Sequence, residues 1–114
     1  MNILLVEDHE DTRCVLTRLL DRYGHRVTSA ASVAEARGLL SALKFDVLLS
    51  DIGLPDGTGF GLVVEAKQIQ QLKAVALTAW ASDEDKERGR TAGFDHYLTK
   101  PLDCVRLRSV LATA

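Results

Sequence analysis

Apolar residues fall along the chain in two alternating patterns. Short unbroken runs, such as Ile3-Leu4-Leu5-Val6 and Ala74-Val75-Ala76-Leu77, have the length and continuity of strands covered on both faces. Between them, apolar residues recur at helical spacing. The first run stops at Glu7-Asp8. Over about residues 9–23, Val15 with Leu19 and Leu16 with Leu20, continuing to Tyr23, form a stripe that Gly24 is expected to end. Residues 26–30, anchored by Val27, read as a weaker strand suited to a sheet edge. Ser32 with Glu35 is a capping-box pair, after which Ala36, Leu39, Leu40 and Leu43 line one helical face. Residues 47–50 make the third strand.

The second half continues the alternation. A third helix is predicted from about 60 to 70, its inner face Leu62, Val63, Ala66 and Ile69. The next run closes on Thr78, and Ser82 with Asp85 forms a second capping pair opening a helix through about Ala92. This helix is the least apolar of the set, the mark of a solvated face or of a loosely held partner surface. Residues 94–98 make a short fifth strand, and Asp103 caps a last helix with Leu107, Val110 and Leu111 inward and Arg106 and Arg108 outward. Five strands alternating with five helices predict an α/β open parallel sheet with helices on both faces. Its crossovers are expected to be right-handed.

Length and composition narrow the class. The 114 residues suit one domain with a single core, and 46% apolar with 26% charged residues is ordinary for a globular protein. A net charge of −2 argues against the strongly basic surface of a nucleic-acid binder. No apolar run approaches the roughly 20 residues that span a bilayer. Met1-Asn2 leads directly into the first run without a basic stretch, so no signal peptide and a cytoplasmic location are expected. Cys14 and Cys104 lack metal-ligand spacing and read as free thiols; His9, His25 and His96 form no ligand set.

The polar residues that end the strands carry the candidate chemistry. In open parallel sheets the ligand site lies beyond the carboxyl ends of the strands. Strand one ends in Glu7-Asp8, strand three in Asp51, strand four in Thr78, and strand five leads into Lys100-Pro101. Beyond Asp51, the stretch Ile52-Gly53-Leu54-Pro55-Asp56-Gly57-Thr58-Gly59 is rich in glycine and bent by Pro55, so the strand cannot continue. Asp51 therefore stands on the lip of a loop, placed to act as a nucleophile. Three carboxylates and one ammonium sum to −2, which a divalent cation would cancel. Hard oxygen donors around an open site suit Mg²⁺.

An acidic pair, a central Asp, a Thr and a Lys-Pro at the ends of strands one, three, four and five resemble the receiver domain of two-component response regulators. The resemblance covers nearly the whole chain. Leu5-Val6-Glu7-Asp8-His9-Glu10-Asp11-Thr12 and Ser50-Asp51-Ile52-Gly53-Leu54-Pro55-Asp56-Gly57 look particularly like receivers of hybrid sensor histidine kinases. It implies a flavodoxin-like (βα)5 fold with strand order 2-1-3-4-5. It further implies that Asp51 accepts a phosphoryl group from a phosphohistidine on a histidine kinase or phosphotransfer domain. Mg²⁺ would be held by Asp8, Asp51 and the Gly53 carbonyl, with Glu7 acting through water; Lys100 and Thr78 would contact the phosphoryl oxygens. Tyr97, three residues before the lysine, would turn inward as Thr78 is drawn to the phosphate, changing the surface of helix four, strand five and helix five. The implied role is a signalling phosphoacceptor with autodephosphorylation, monomeric or weakly dimeric, not an enzyme.

Two positions depart from the commoner receiver pattern. Gly53 offers no side chain two residues after the acceptor, and Trp80 places a large aromatic two residues after Thr78. Together they are expected to set water access to an aspartyl phosphate. A haloacid-dehalogenase-type phosphatase also uses a strand-end Asp with Mg²⁺, but needs a second Asp where Gly53 stands. A flavin-binding domain would need a phosphate-cradling loop where Glu7-Asp8 lies. A stand-alone regulator is the alternative to a hybrid-kinase segment, and a receiver kept only for docking would have lost a site residue, which this chain has not.

Overall fold

The computed structural model describes residues 1–79 and 82–112. Strands β1 (Asn2–Val6), β2 (Arg26–Ala30), β3 (Val47–Asp51), β6 (Lys73–Thr78) and β7 (His96–Thr99) form one parallel sheet in the order β2-β1-β3-β6-β7. The five strands are those expected, and their order is the flavodoxin-like 2-1-3-4-5. Helices α1 (Glu10–Arg22), α2 (Val33–Ala42), α3 (Gly59–Ile69) and α4 (Asp83–Ala92) make the four crossovers, and α5 (Cys104–Ala112) follows the last strand. A short antiparallel hairpin, β4 (Gly53–Leu54) with β5 (Gly57–Thr58), occupies the loop after β3.

Alternation along the buried strands divides the core. Ile3, Leu5, Val47, Leu49, Val75 and Leu77 point to the face covered by α1 and α5, where Leu16, Leu20, Leu107 and Leu111 meet them. Leu4, Val6, Leu48, Ala74 and Ala76 point to the other face, against Val33, Ala36 and Leu40 of α2 and Leu62, Val63 and Ala66 of α3. Each fully buried leucine contributes about 1.5–3 kcal/mol. Strand β2 pairs on one side only, which is why its sequence reads weakest.

Local chemistry sets the helix ends. His9, Ser32, Thr58 and Ser82 each cap a helix by accepting from the N–H three residues on. Glu35 departs from a full capping box: its carboxylate accepts from Ala31 N at 2.6 Å instead of from Ser32 N. Gly24 and Gly93, with φ of 89° and 125°, end α1 and α4 in a conformation other residues avoid.

Three residues expected inside are exposed: Val15, Leu43 and Ile69. On α1 the sheet is met by Leu16 and Leu20 with Leu19 at the margin, leaving Val15 beyond the contact stripe. Leu43 is the extended C-cap of α2, off the helical face. Ile69 ends α3, where Gln70 turns inward and binds the carboxyl end of α2. Phe94 precedes β7 rather than opening it, and is buried all the same. Helix α4 buries only Gly89, in keeping with its polar sequence. Among the described residues no helix is long and apolar enough to cross a membrane.

Candidate functional site

All five strands of the sheet end at one edge. The register pairs Val6 with Ser50 and Asp51 with Leu77, so Glu7 and Asp51 emerge side by side. Thr78 pairs with Thr99, bringing Lys100 up beside them. The Lys100 ammonium lies 3.0 Å from Glu7 Oε2 and 3.0 Å from Asp51 Oδ2, joining three strands that are far apart in sequence. The Lys100–Pro101 peptide is cis.

The three groups differ in exposure. Glu7 is 1% exposed, while the side chains of Asp51 and Lys100 are 14% and 26% exposed. Burial holds the Glu7 carboxyl above its usual range; the Lys100 bond opposes this, and neighbouring Asp51 reinforces it. For Lys100, burial acts downward but is outweighed by Glu7 and Asp51, so its ammonium is held above the ordinary lysine range. The ion pair is thus charged on the lysine side throughout the neutral range.

Glu7, Asp8 and Asp51 can bring carboxylate oxygens within 4.8 Å of one another. This donor set is all hard oxygen and fits a small divalent cation. The oxygens are not equivalent. Both of Glu7 are engaged, Oε2 with Lys100 and Oε1 with His9 N at 3.3 Å, whereas Asp8 stands exposed at the mouth. Asp51 Oδ1 accepts from Ile52 N at 2.8 Å. Asp51, Gly53, Phe60, Thr78, Asp85 and Lys100 line a cleft of about 400 Å³. A larger hollow of about 670 Å³ beside Met1, Asp46 and Lys73 lies at the opposite edge, away from these groups.

The remaining candidates fall around this cleft. Thr78 is buried at the end of β6, and its carbonyl accepts from Lys100 N at 2.7 Å. Gly53 is exposed, and among the described residues a Cβ there would meet nothing within 4 Å. Tyr97 is half-buried on β7, paired with Ala76 of Thr78's strand: its hydroxyl donates to the Asp85 carbonyl at 2.7 Å, and its ring meets Phe94 edge-on at 6.1 Å. Burial raises the Tyr97 hydroxyl above its usual range. Trp80 lies outside the described residues.

Some contributors carry no signature in the sequence. Arg13 donates to the Glu7 carbonyl at 2.8 Å, fixing the turn that presents Asp8. Ser50, fully buried, donates to the Asp51 carbonyl at 2.9 Å. Gly59 packs so closely under Asp51 that a Cβ would overlap the Asp51 carbonyl oxygen. Of these, only the glycine hints at its contact through residue type, since close backbone approach is one reason for glycine in a loop.

A family model described as the response regulator receiver domain matches residues 3–112. The chain is 41% identical over 112 residues to the response regulator protein PilR of Pseudomonas aeruginosa, covering 97% of this chain and 25% of that protein. It is 34% identical over 113 residues to the sensor histidine kinase RcsC of Salmonella typhi, covering 98% of this chain and 12% of that one. Among solved structures, a two-component response regulator from Clostridium difficile superimposes with a TM-score of 0.95 at 26% identity, covering 99% of this chain and 93% of that one.

Proposed function

The chain belongs to the response regulator receiver family of two-component signalling, and from that premise we propose that Asp51 takes a phosphoryl group from a phosphohistidine in a Mg²⁺-dependent reaction. The observation that carries the proposal is the Lys100 ammonium held 3.0 Å from both Glu7 and Asp51 at the strand-end edge. An Asp51 oxygen attacks phosphorus as the phosphorus–nitrogen bond breaks, and the imidazole of the donor leaves with the bonding pair. Asp8, Asp51 and the Gly53 carbonyl would hold Mg²⁺, with Glu7 reached through water, and the bound ion would supply positive charge beside the phosphoryl oxygens. Lys100 moves its pairing from the Asp51 carboxylate to a phosphoryl oxygen, and the Thr78 hydroxyl donates to another.

The donor has to approach past α1 and the segment after β7. There Val15, Leu19, Leu102 and Cys104 line an apolar groove that runs up to Lys100. Val15, in this groove, is a large exposed apolar residue, which suits docking of a histidine kinase or a phosphotransfer domain. Output follows from the added charge of about −1.5 to −2. Drawing Thr78 toward it frees space for Tyr97, and the responding surface is α4, β7 and α5. Open access above Gly53 suits autodephosphorylation by water.

On this reading residues 1–114 are one receiver domain, working in the cytoplasm as a monomer or weak dimer without binding nucleic acid itself. The match to RcsC supports a segment of a hybrid histidine kinase; a regulator such as PilR is the alternative context. Incubation with acetyl phosphate and Mg²⁺ followed by intact mass tests the chemistry. Wild type gains one phosphoryl group and Asp51→Asn gains none. A folded, metal-loaded wild type that stays unmodified would reduce the chain to a docking module.

A further inference from the structure

Helix α2 is capped mostly from a distance. Of its first three backbone N–H groups, only that of Glu35 is met locally, by the Ser32 hydroxyl at 3.2 Å. Those of Val33 and Ala34 go to the two oxygens of one carboxylate, Asp56, at 2.8 and 3.0 Å, across 23 and 22 residues of chain. The amino end of a helix carries partial positive charge, so an ionised carboxylate is well placed there. The bonds from Val33 N and then Ala34 N hold the Asp56 carboxyl below the usual carboxylate range.

Asp56 sits at the tip of the β4–β5 hairpin, whose pairs are Gly53 with Thr58 and Leu54 with Gly57. Beside it Gly57 lies on α2, where a Cβ would stand 3.1 Å from Val33 Cγ2. The base of the ribbon is fixed at the acceptor: Gly59 N donates to the Ile52 carbonyl at 2.7 Å, and Gly59 packs under Asp51. Gly53 opens the ribbon two residues after Asp51 and has nothing packed where a side chain would be. Among the described residues nothing occupies the Cβ direction of Gly53, so no side-chain packing holds it in place. Its place depends on the ribbon being pinned at base and tip.

We propose that Asp56 is a positioning residue for phosphoryl transfer: by clamping the hairpin tip onto α2 it keeps the Gly53 carbonyl and the Asp51 carboxylate at the spacing that lets them share one divalent cation. The inference rests on the receiver reading above and adds to it a residue that touches neither metal nor phosphate. Ser32 supplies the control, because it caps the same helix without touching the hairpin.

The test compares wild type, Asp56→Ala, Asp56→Asn and Ser32→Ala by Mg²⁺ titration calorimetry, by phosphorylation rate with acetyl phosphate at several Mg²⁺ concentrations, and by amide exchange at Val33 and Ala34. Asp56→Ala is expected to lose protection at both amides and to bind Mg²⁺ about tenfold more weakly, as loss of an outer-shell support does. Its phosphorylation rate should recover as Mg²⁺ is raised. Asp56→Asn, whose amide oxygen can take one of the two N–H groups, should fall between and keeps the test open if the alanine variant folds poorly. Ser32→Ala should keep Mg²⁺ affinity within about twofold. Asp56 variants that bind Mg²⁺ as wild type does, or a Ser32→Ala loss as large as that of Asp56→Ala, would overturn the proposal and leave Asp56 a helix cap. Wild type that binds no Mg²⁺ and gains no phosphoryl group would overturn the phosphoacceptor reading itself, so the two failures are distinguishable.

Discussion

Helices α2 and α4 flank α3 on the same face of the sheet, yet they are held by different means. Val33, Ala36 and Leu40 of α2 are buried against the strands, its amino end is bound by Ser32 and Asp56, and Gln70 Nε2 donates to the Leu40 and Leu43 carbonyls at its carboxyl end. Arg37 adds a two-pronged ion pair to Glu65 of α3. Helix α4 buries only Gly89. Its ties to the body include the Tyr97 hydroxyl on the Asp85 carbonyl and the Arg88 guanidinium over the Phe60 ring at 4.6 Å, with Ala92 half-buried. Segments that bury little apolar area open at low free-energy cost. One helix therefore serves as scaffold for the strand-end edge that carries Asp51, while the other can be displaced without dismantling the core. Displacing α4 would disturb little of the packing that keeps Asp51, Glu7 and Lys100 in register.

The contrast breaks most visibly on stability. Leu40→Ala, which empties a buried site under α2, is expected to cost about 2–5 kcal/mol in urea unfolding. Lys86→Ala on the solvated side of α4 should change the same measurement by less than about 0.5 kcal/mol. Comparable losses at the two positions would mean that α4 is as deeply anchored as α2.

Gly89 sharpens the comparison because its sign can be reversed. Replacing a helix-interior glycine with alanine ordinarily stabilises by about 1 kcal/mol. Here the new Cβ would overlap the Tyr97 ring, so either α4 shifts or the ring leaves and the bond to Asp85 is lost. Gly89→Ala is expected to destabilise by about 1–2 kcal/mol, the range of overpacking. In a Tyr97→Ala background, where the obstacle is gone, the same change should stabilise by about 1 kcal/mol. A stabilising Gly89→Ala in both backgrounds would show that Tyr97 does not lie against α4.

The polar strand-end edge is legible in the amino-acid sequence, and for a physical reason. Buried strands of a parallel sheet are written as continuous apolar runs, so their ends are marked wherever a charged or hydroxyl residue interrupts the run, and parallel pairing sends Glu7, Asp51, Thr78 and Lys100 to one edge. Periodicity is less informative about extent. It assigns Val15, Leu43 and Ile69 to apolar faces but does not say where the sheet beneath a helix stops. The β4–β5 hairpin escapes such a reading because strands of two residues make no pattern at all. Asp56 on α2 and Gln70 on the Leu40 and Leu43 carbonyls are equally invisible, since each joins groups more than twenty positions apart through backbone atoms that every residue possesses.

The smallest effect concerns how α4 is tied at its far end. Just beyond Gly93, Asp95 Oδ2 accepts from Lys67 Nζ at 2.8 Å and from Ala74 N at 2.9 Å, fastening the start of the last strand to α3 and β6. Burial alone would raise the Asp95 carboxyl, but Lys67 and the Ala74 N–H outweigh it and hold the group below its ordinary value of 3.8. A carboxyl depressed by folding contributes stability that is present above its unfolded value and lost as pH falls through its folded one. Asp95→Asn should therefore be less stable than wild type at pH 7, by about 0.5–1 kcal/mol for a partly exposed pair. The difference should shrink as the pH is taken below 3.8. Amide exchange should place the loosening in α4 and β7, leaving β1 and β3 protected. A deficit that stays constant with pH would assign Asp95 a packing role, and loosening that reached β3 would tie α4 to the Asp51 edge more tightly than the contrast with α2 allows.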